Sequence, residues 1–222
     1  MATATKKAKT DKSNATLVVQ PPNLKVAQFR IRGIAPYVQN KFSEKTKEQM
    51  RKDHEAGSTA RKGKKREGKD FQALYEAAIH RGPGGWYGMP ASAFRNALVS
   101  ACRLVGFHMT KAKISIFAVE DGFDPVDMTP LIKITKGEPK YFESMARNDN
   151  GSPDIRPRPM WEPGWEADVK IRFDADQFTL QDIANLLVRV GMQVGIGEGR
   201  PDSKNSCGMG WGLFEIVAQE EV

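Results

Sequence analysis

Arg200 and Lys204 lie inside Gly191–Gly212, a stretch of 22 residues of which seven are glycine. Glycine takes positive φ at little steric cost and lets a second backbone approach closely. A helix-to-strand connection ordinarily needs one glycine, as a helix cap. Seven of them predict a backbone shaped to lie against a ligand. Gly197, Gly199, Gly208 and Gly210 would bring N–H groups up to its oxygens, and Arg200 and Lys204 would neutralise its negative charge. A merely flexible loop is the alternative.

A second set of cations is Lys62, Lys64, Lys65 and Arg66, within a Gly/Ser-bounded loop, residues 57–69, that holds six Lys or Arg. The whole chain of 222 residues carries a net charge of +7. Residues 1–70 hold 18 Lys and Arg against 7 Asp and Glu, whereas residues 71–222 hold 16 against 20. A local excess of this kind suits phosphate contact, through steering and counterion release. An anionic membrane fits less well, because the basic segments lack an apolar face. Trp86, Tyr87 and Trp161 could stack on bases, and turn packing is the competing reading of each. The expected partner is therefore a single strand of RNA or DNA.

Enzymatic signals are sparse. His54, His80 and His108 have no partner visible from spacing and read as surface or capping residues. With Cys102 and Cys207 they lack zinc-ligand spacing, so no metal is expected. There is no P-loop. Gly195-x-Gly-x-Gly follows a helix rather than a strand, so it is not a dinucleotide fingerprint. No cofactor and no catalytic residue is assigned. The rival classes are an enzyme and a structural or assembly protein, for example of a phage or mobile element. Two cysteines make no disulfide framework, and a cytoplasmic, reducing location is the simplest expectation. No apolar run approaches the ~18 residues of a membrane span.

The elements that must position these residues follow from periodicity. Residues 1–16 read as a disordered basic tail and 17–222 as one domain. Ala27, Phe29 and Ile31 alternate with Arg30 and Arg32, predicting a half-buried strand whose open face is basic and suited to an acidic partner. A charged helix is expected over 43–56, with Ser43 as a candidate cap, and a short helix over 70–80. Phe94, Ala97, Leu98, Ala101 and Val105 recur at helical spacing between Met89 and Gly106, with Pro90 in the first turn. Strands are expected over 114–119, 131–135, 167–173 and 211–217. A helix should open at Thr179, with Asp182 completing a capping box. Residues 137–165, rich in Pro, Gly and Trp, read as irregular. With insertions at about 38–88 and 137–165 set aside, the order is β-α-β-β-α-β. That is an α+β, ferredoxin-like (RRM-like) core with large inserted segments, whose open sheet face is the kind RNA-recognition modules use.

Two segments carry a resemblance. Met89-Pro-Ala-Ser-Ala-Phe-Arg-Asn-Ala-Leu98 resembles the helix start of the RAMP superfamily, the repeat-associated proteins of CRISPR effector complexes. Gly195-Ile-Gly-Glu-Gly-Arg-Pro201 and Gly208-Met-Gly-Trp-Gly-Leu-Phe-Glu-Ile216 resemble that superfamily's C-terminal glycine-rich loop and following strand. The nearest likeness is to the repeating backbone subunit that coats guide RNA. The resemblance implies a modified ferredoxin-like palm with inserted finger and thumb segments. It also implies RNA as the strand, copies arranged head to tail, and Arg95, near the start of the motif helix, as a further contact; since some members of the superfamily cleave RNA with a histidine base, it makes an RNA endonuclease the form the rival enzyme would take. Glu198, an acid inside the loop, departs from the expected pattern.

Overall fold

The computed structural model describes residues 20–42, 44–55, 68–147, 151, 153–203 and 208–221. The basic tail 1–16, Ser43, Cys207, Lys204 and the cluster Lys62, Lys64, Lys65 and Arg66 lie outside the described residues.

The central strand is β1 (Leu24–Gly33), flanked by the antiparallel β9 (Glu166–Asp174) and β10 (Phe214–Glu221). Alternation does what period 2 requires. Ala27, Phe29 and Ile31 are fully buried, as are Ala167, Val169 and Ile171 on the neighbouring strand. The outer edge of β9 is shared by two strands. β4 (Ile116–Val119) pairs residues 170–173, and the end of β6 (Pro130–Lys136) pairs residues 166–167. Both run antiparallel to β9, so they form one strand interrupted by an excursion. That excursion holds β5 (Gly122–Phe123), which pairs back onto β6. The order β10-β1-β9-β4/β6 is that of a ferredoxin-like sheet, extended past β6 by β3 (Gly88–Pro90).

Two helices cover the buried face. α3 (Ala91–Leu104) presents Phe94, Ala97, Leu98 and Ala101. Pro90 ends up as the cap, with extended ψ, instead of inside the first turn. α5 (Leu180–Arg189) opens with the expected reciprocal cap: Thr179 N–H donates to Asp182 at 2.9 Å and Asp182 N–H to the Thr179 hydroxyl at 3.1 Å. The helix then widens into a π-turn, Val190–Val194. Here a Cβ on Gly191 would meet the Phe214 carbonyl at 2.1 Å, so the helix closes directly on β10. Among the described residues no helix is long and apolar enough to cross a membrane.

Two expectations are corrected. Residues 109–115 form a short helix, α4 (Met109–Ser115), so the strand there begins only at Ile116. Ile114, the residue that suggested an earlier start, is 72% exposed. Residues 137–165 are not irregular. β7 (Lys140–Arg147) and β8 (Pro153–Trp161) form a hairpin, and β8 pairs β2 (Tyr37–Val38) in a second sheet. The prolines of β8 hid this, since proline removes ladder donors. Pro153, Pro157 and Pro159 share one parity. The Pro159 carbonyl accepts from Gln39 N–H, so this parity faces the β2 side and the β7 ladder loses nothing. The segment between β2 and β3 supplies α1 (Glu44–Glu55) and α2 (Phe71–Ala77), and α2 lies against β8. The two inserted regions therefore meet. Tyr37 packs against Trp161 and Trp165, ring centres 5.4 and 5.8 Å away, where both insertions join the core.

Candidate nucleic-acid interface

The glycine loop is folded largely against its own protein. Ile196 N–H donates to Gly212, Glu198 N–H to Val38, Asp202 N–H to Val194, Trp211 N–H to Gly199 and Gly212 N–H to Pro36. At Gly212, φ is 71° and a Cβ would stand 1.7 Å from the Ile196 carbonyl. At Gly197, φ is 79° and a Cβ would stand 2.5 Å from the Val38 carbonyl. These glycines allow backbone to cross backbone inside the fold. Gly208 and Gly210 differ: both have positive φ, yet nothing would meet a Cβ within 4 Å. Arg200 braces the loop, donating to the Gly197 carbonyl at 2.9 Å. Glu198, the unexpected acid, accepts from Arg158 of β8 at 2.6 Å and so ties the loop to the hairpin.

Beside this braced loop runs a cleft of about 450 Å³. One wall is the α3 face formed by Ala93, Asn96, Ala97 and Ser100, which recur at helical spacing. The other is the loop from Ile196 to Ser203; Gln39, Asn40 and Arg156 close the far side. Through Ser100 and Asp202 the cleft continues to a smaller hollow at Arg103. Through Asn40 and Arg156 it continues to a hollow of about 460 Å³ beside Lys69 and Arg158. The three together make one groove across the molecule. Both sequence segments that carry the resemblance line it.

The structure distributes the expected site residues unevenly. Gly197, Gly199 and Arg200 line the cleft. Arg95 does not. Its position on α3 turns it toward α4 and β4, where it donates to the Lys113 carbonyl and lies 5.5 Å from the Phe117 ring centre. Arg30 and Arg32 are exposed on the open sheet face, but Arg30 is paired with Asp168 at 2.8 Å and Arg32 with Glu166 at 3.0 Å. That face is charge-balanced there, not basic, because the register sets an acid of β9 opposite each arginine. Trp161 is fully buried and offers no ring face to a base. Trp86 packs flat over Gly82, and Tyr87 lies under Arg81, 5.0 Å away; neither lines the groove. Asn40, Asn96, Ser100 and Arg156 were missed. Asn96 and Ser100 were legible as the polar steps of a stripe that Ala93 and Ala97 continue; Asn40 and Arg156 left no local signal.

His80 is not a surface histidine. It lines the cleft, 7% exposed, with Nδ1 3.1 Å from the Asp124 carboxylate. Gln39 accepts from the His80 N–H at 2.8 Å. Lys41 pairs with the same Asp124 oxygen at 2.5 Å, and Lys47 approaches Asp127 at 3.6 Å. His80, Asp124 and Asp127 have ligand atoms within 4.8 Å of one another, a grouping of metal-ligand type that spacing did not reveal. Two ammonium groups already meet its two carboxylates, so the local charge is balanced without a cation. Burial pushes the His80 pKa below 6.5, Asp124 opposes this, and Lys41 adds to it. Burial would raise the Asp124 carboxyl, but hydrogen bonds from Lys41, Val126 N–H and His80 outweigh it and hold it low.

Sheet order, the helix-covered face and the capped second helix define an α+β protein with a ferredoxin-like core. No family model matches the chain, and no curated protein matches it in sequence. Among solved structures, it is similar to a chain in the cryo-EM structure of the type III-B Cmr-beta bound to cognate target RNA. The TM-score is 0.51 at 10% identity, over 90% of this chain and 61% of that one. At that identity the likeness is one of fold, and this chain spans 61% of the neighbour's length.

Proposed function

We propose that this protein binds single-stranded nucleic acid, RNA in preference to DNA and largely without regard to sequence, as a non-catalytic subunit that coats the strand in head-to-tail copies. The observation that carries the reading is the groove. It is concave, its three parts share lining residues, and both motif segments converge on it from positions about a hundred residues apart. Backbone contact to a strand is sequence-blind, since phosphates carry no base identity. Arg156 and Arg200 line its middle. Lys69, immediately after the basic segment with Lys62, Lys64, Lys65 and Arg66, lines its far end, where that segment would add electrostatic grip. The choice of RNA is supported by the fold neighbour, a chain of an RNA-bound complex. The β7–β8 hairpin is the natural arm onto the next copy.

The test is binding of labelled single-stranded RNA and matched DNA at about 50 and 200 mM salt, with the complex sized in the same experiment. Affinity that falls steeply with salt, and complexes that grow with strand length, are the expected result. No binding to either strand at low salt would end the reading. The same incubation addresses a second reading, because His80 lines the groove and the buried Asp124 takes its Nδ1, as a general base and its orienting acid would be arranged. Strand cleavage that His80→Ala abolishes would make the protein an endonuclease.

A further inference from the structure

Several groove cations are already occupied by the protein's own acids. At one end Arg103 pairs with Asp202 at 3.0 Å. In the middle Arg158 pairs with Glu198 at 2.6 Å. At the far end Lys69 and Arg156 converge on Asp154, the latter at 3.4 Å. The three acids fall in the order Asp202, Glu198, Asp154 along the groove. Asp202 lines its first two parts, Glu198 the middle and Asp154 the last.

We propose that the two end carboxylates, Asp202 and Asp154, mark two phosphate subsites, and that a bound strand displaces each acid from its cation, while the Glu198–Arg158 pair between them stays as the tie of loop to hairpin. The inference rests on the nucleic-acid reading of the groove and goes beyond it, because it names the subsites and gives them a built-in competitor. A carboxylate and a phosphodiester offer a guanidinium the same paired oxygen acceptors. An acid that stays in place repels the incoming phosphate; one that swings aside releases its cation to it. The pairs at the two ends are exposed enough to exchange: Asp154 is 23% and Asp202 33% exposed. Exposed pairs of this kind contribute little to folding, so their conservation of charge balance is not needed for the fold. The Lys41–Asp124 pair behaves differently. At 8% and 1% exposure it is walled in and joins two parts of the core. The competing acids would make the affinity of a single copy modest, leaving strength to the summed grip of several copies on one strand.

The experiment compares wild type with Asp154→Asn, Asp202→Asn and their double variant. The probes are labelled oligouridine and oligothymidine at one fixed salt concentration. Glu162→Gln is the charge control: Glu162 pairs with Lys140 outside the groove, and its loss changes net charge equally. Each groove substitution is expected to tighten binding about three- to tenfold, and the double variant more, with the control unchanged. The gain should be the same on both strands, because phosphate is common to them. Thermal melting without ligand confirms that each variant is folded. If wild type binds neither strand, the functional reading itself fails. If wild type binds and the groove variants bind no tighter than Glu162→Gln, or more weakly, the subsites are wrong while that reading stands. A gain or loss confined to oligouridine would also overturn them, since the acids would then be reading the ribose 2′-hydroxyl.

Discussion

His80 shows how much one residue's meaning depends on what surrounds it. In the sequence it stands before a turn with no acid in reach; in the fold Asp124, 44 residues away, takes its Nδ1. Its pKa is lowered by burial, so below 6.5 the unfolded chain takes up a proton that the folded chain resists. Stability is then fully present above 6.5 and declines as pH falls toward the lower folded value. Lys41 faces the same site, and the two facing carboxyls, Asp124 and Asp127, keep their charges through that window, because both are held below 3.8. Urea unfolding at stepped pH is expected to show this decline in wild type and a flatter profile in His80→Gln. An unchanged slope would place the proton uptake elsewhere. The glycines carry the same lesson. Their number announced an unusual backbone, but only the crossings at Val38 and Ile196 reveal that several serve self-packing rather than a ligand.

Elements with strong local codes are legible in the chain. β1 and β9 alternate, α3 keeps a 3.6 period, and Thr179 with Asp182 closes the α5 cap although aspartate is shorter than the usual glutamate. Thr179→Ala is expected to cost about 1 kcal/mol, seen as a lower urea midpoint with unchanged slope. That cap holds the helix whose far end becomes the π-turn and the groove loop, so the same substitution should also weaken strand binding modestly. Where local signals failed, a tertiary partner had overridden them. The β8 prolines look like strand breakers until their shared parity sends them toward β2. Arg95 looked like the best-placed cation of its motif until helix rotation sent Ala93, Asn96, Ala97 and Ser100 to the cleft instead.

At the scale of the molecule, the two inserted regions build a second sheet around Tyr37, Trp161 and Trp165, and its hairpin projects apolar surface. Met145 and Ile155 face each other across the β7–β8 ladder, 77% and 42% exposed. If that hairpin docks on the next copy, Met145→Asp with Ile155→Asp should stop complexes growing with strand length. Affinity for an oligonucleotide that fits one copy should stay the same. Loss of both would mean the hairpin contacts the strand itself. By itself the sequence determined the core: alternation and helical period, together with caps, specify which faces are buried, because those patterns act between near neighbours. It also determined that the net positive charge lies in the first third of the chain and that seven glycines crowd into residues 191–212. Only the tertiary structure decided where the groove runs and which cations it keeps. Asn40, Asn96, Arg156 and Glu198 meet through contacts between distant segments, and an arginine's partner depends on strand register and helix rotation. Those are set by how whole elements pack, not by the residues beside it in the chain.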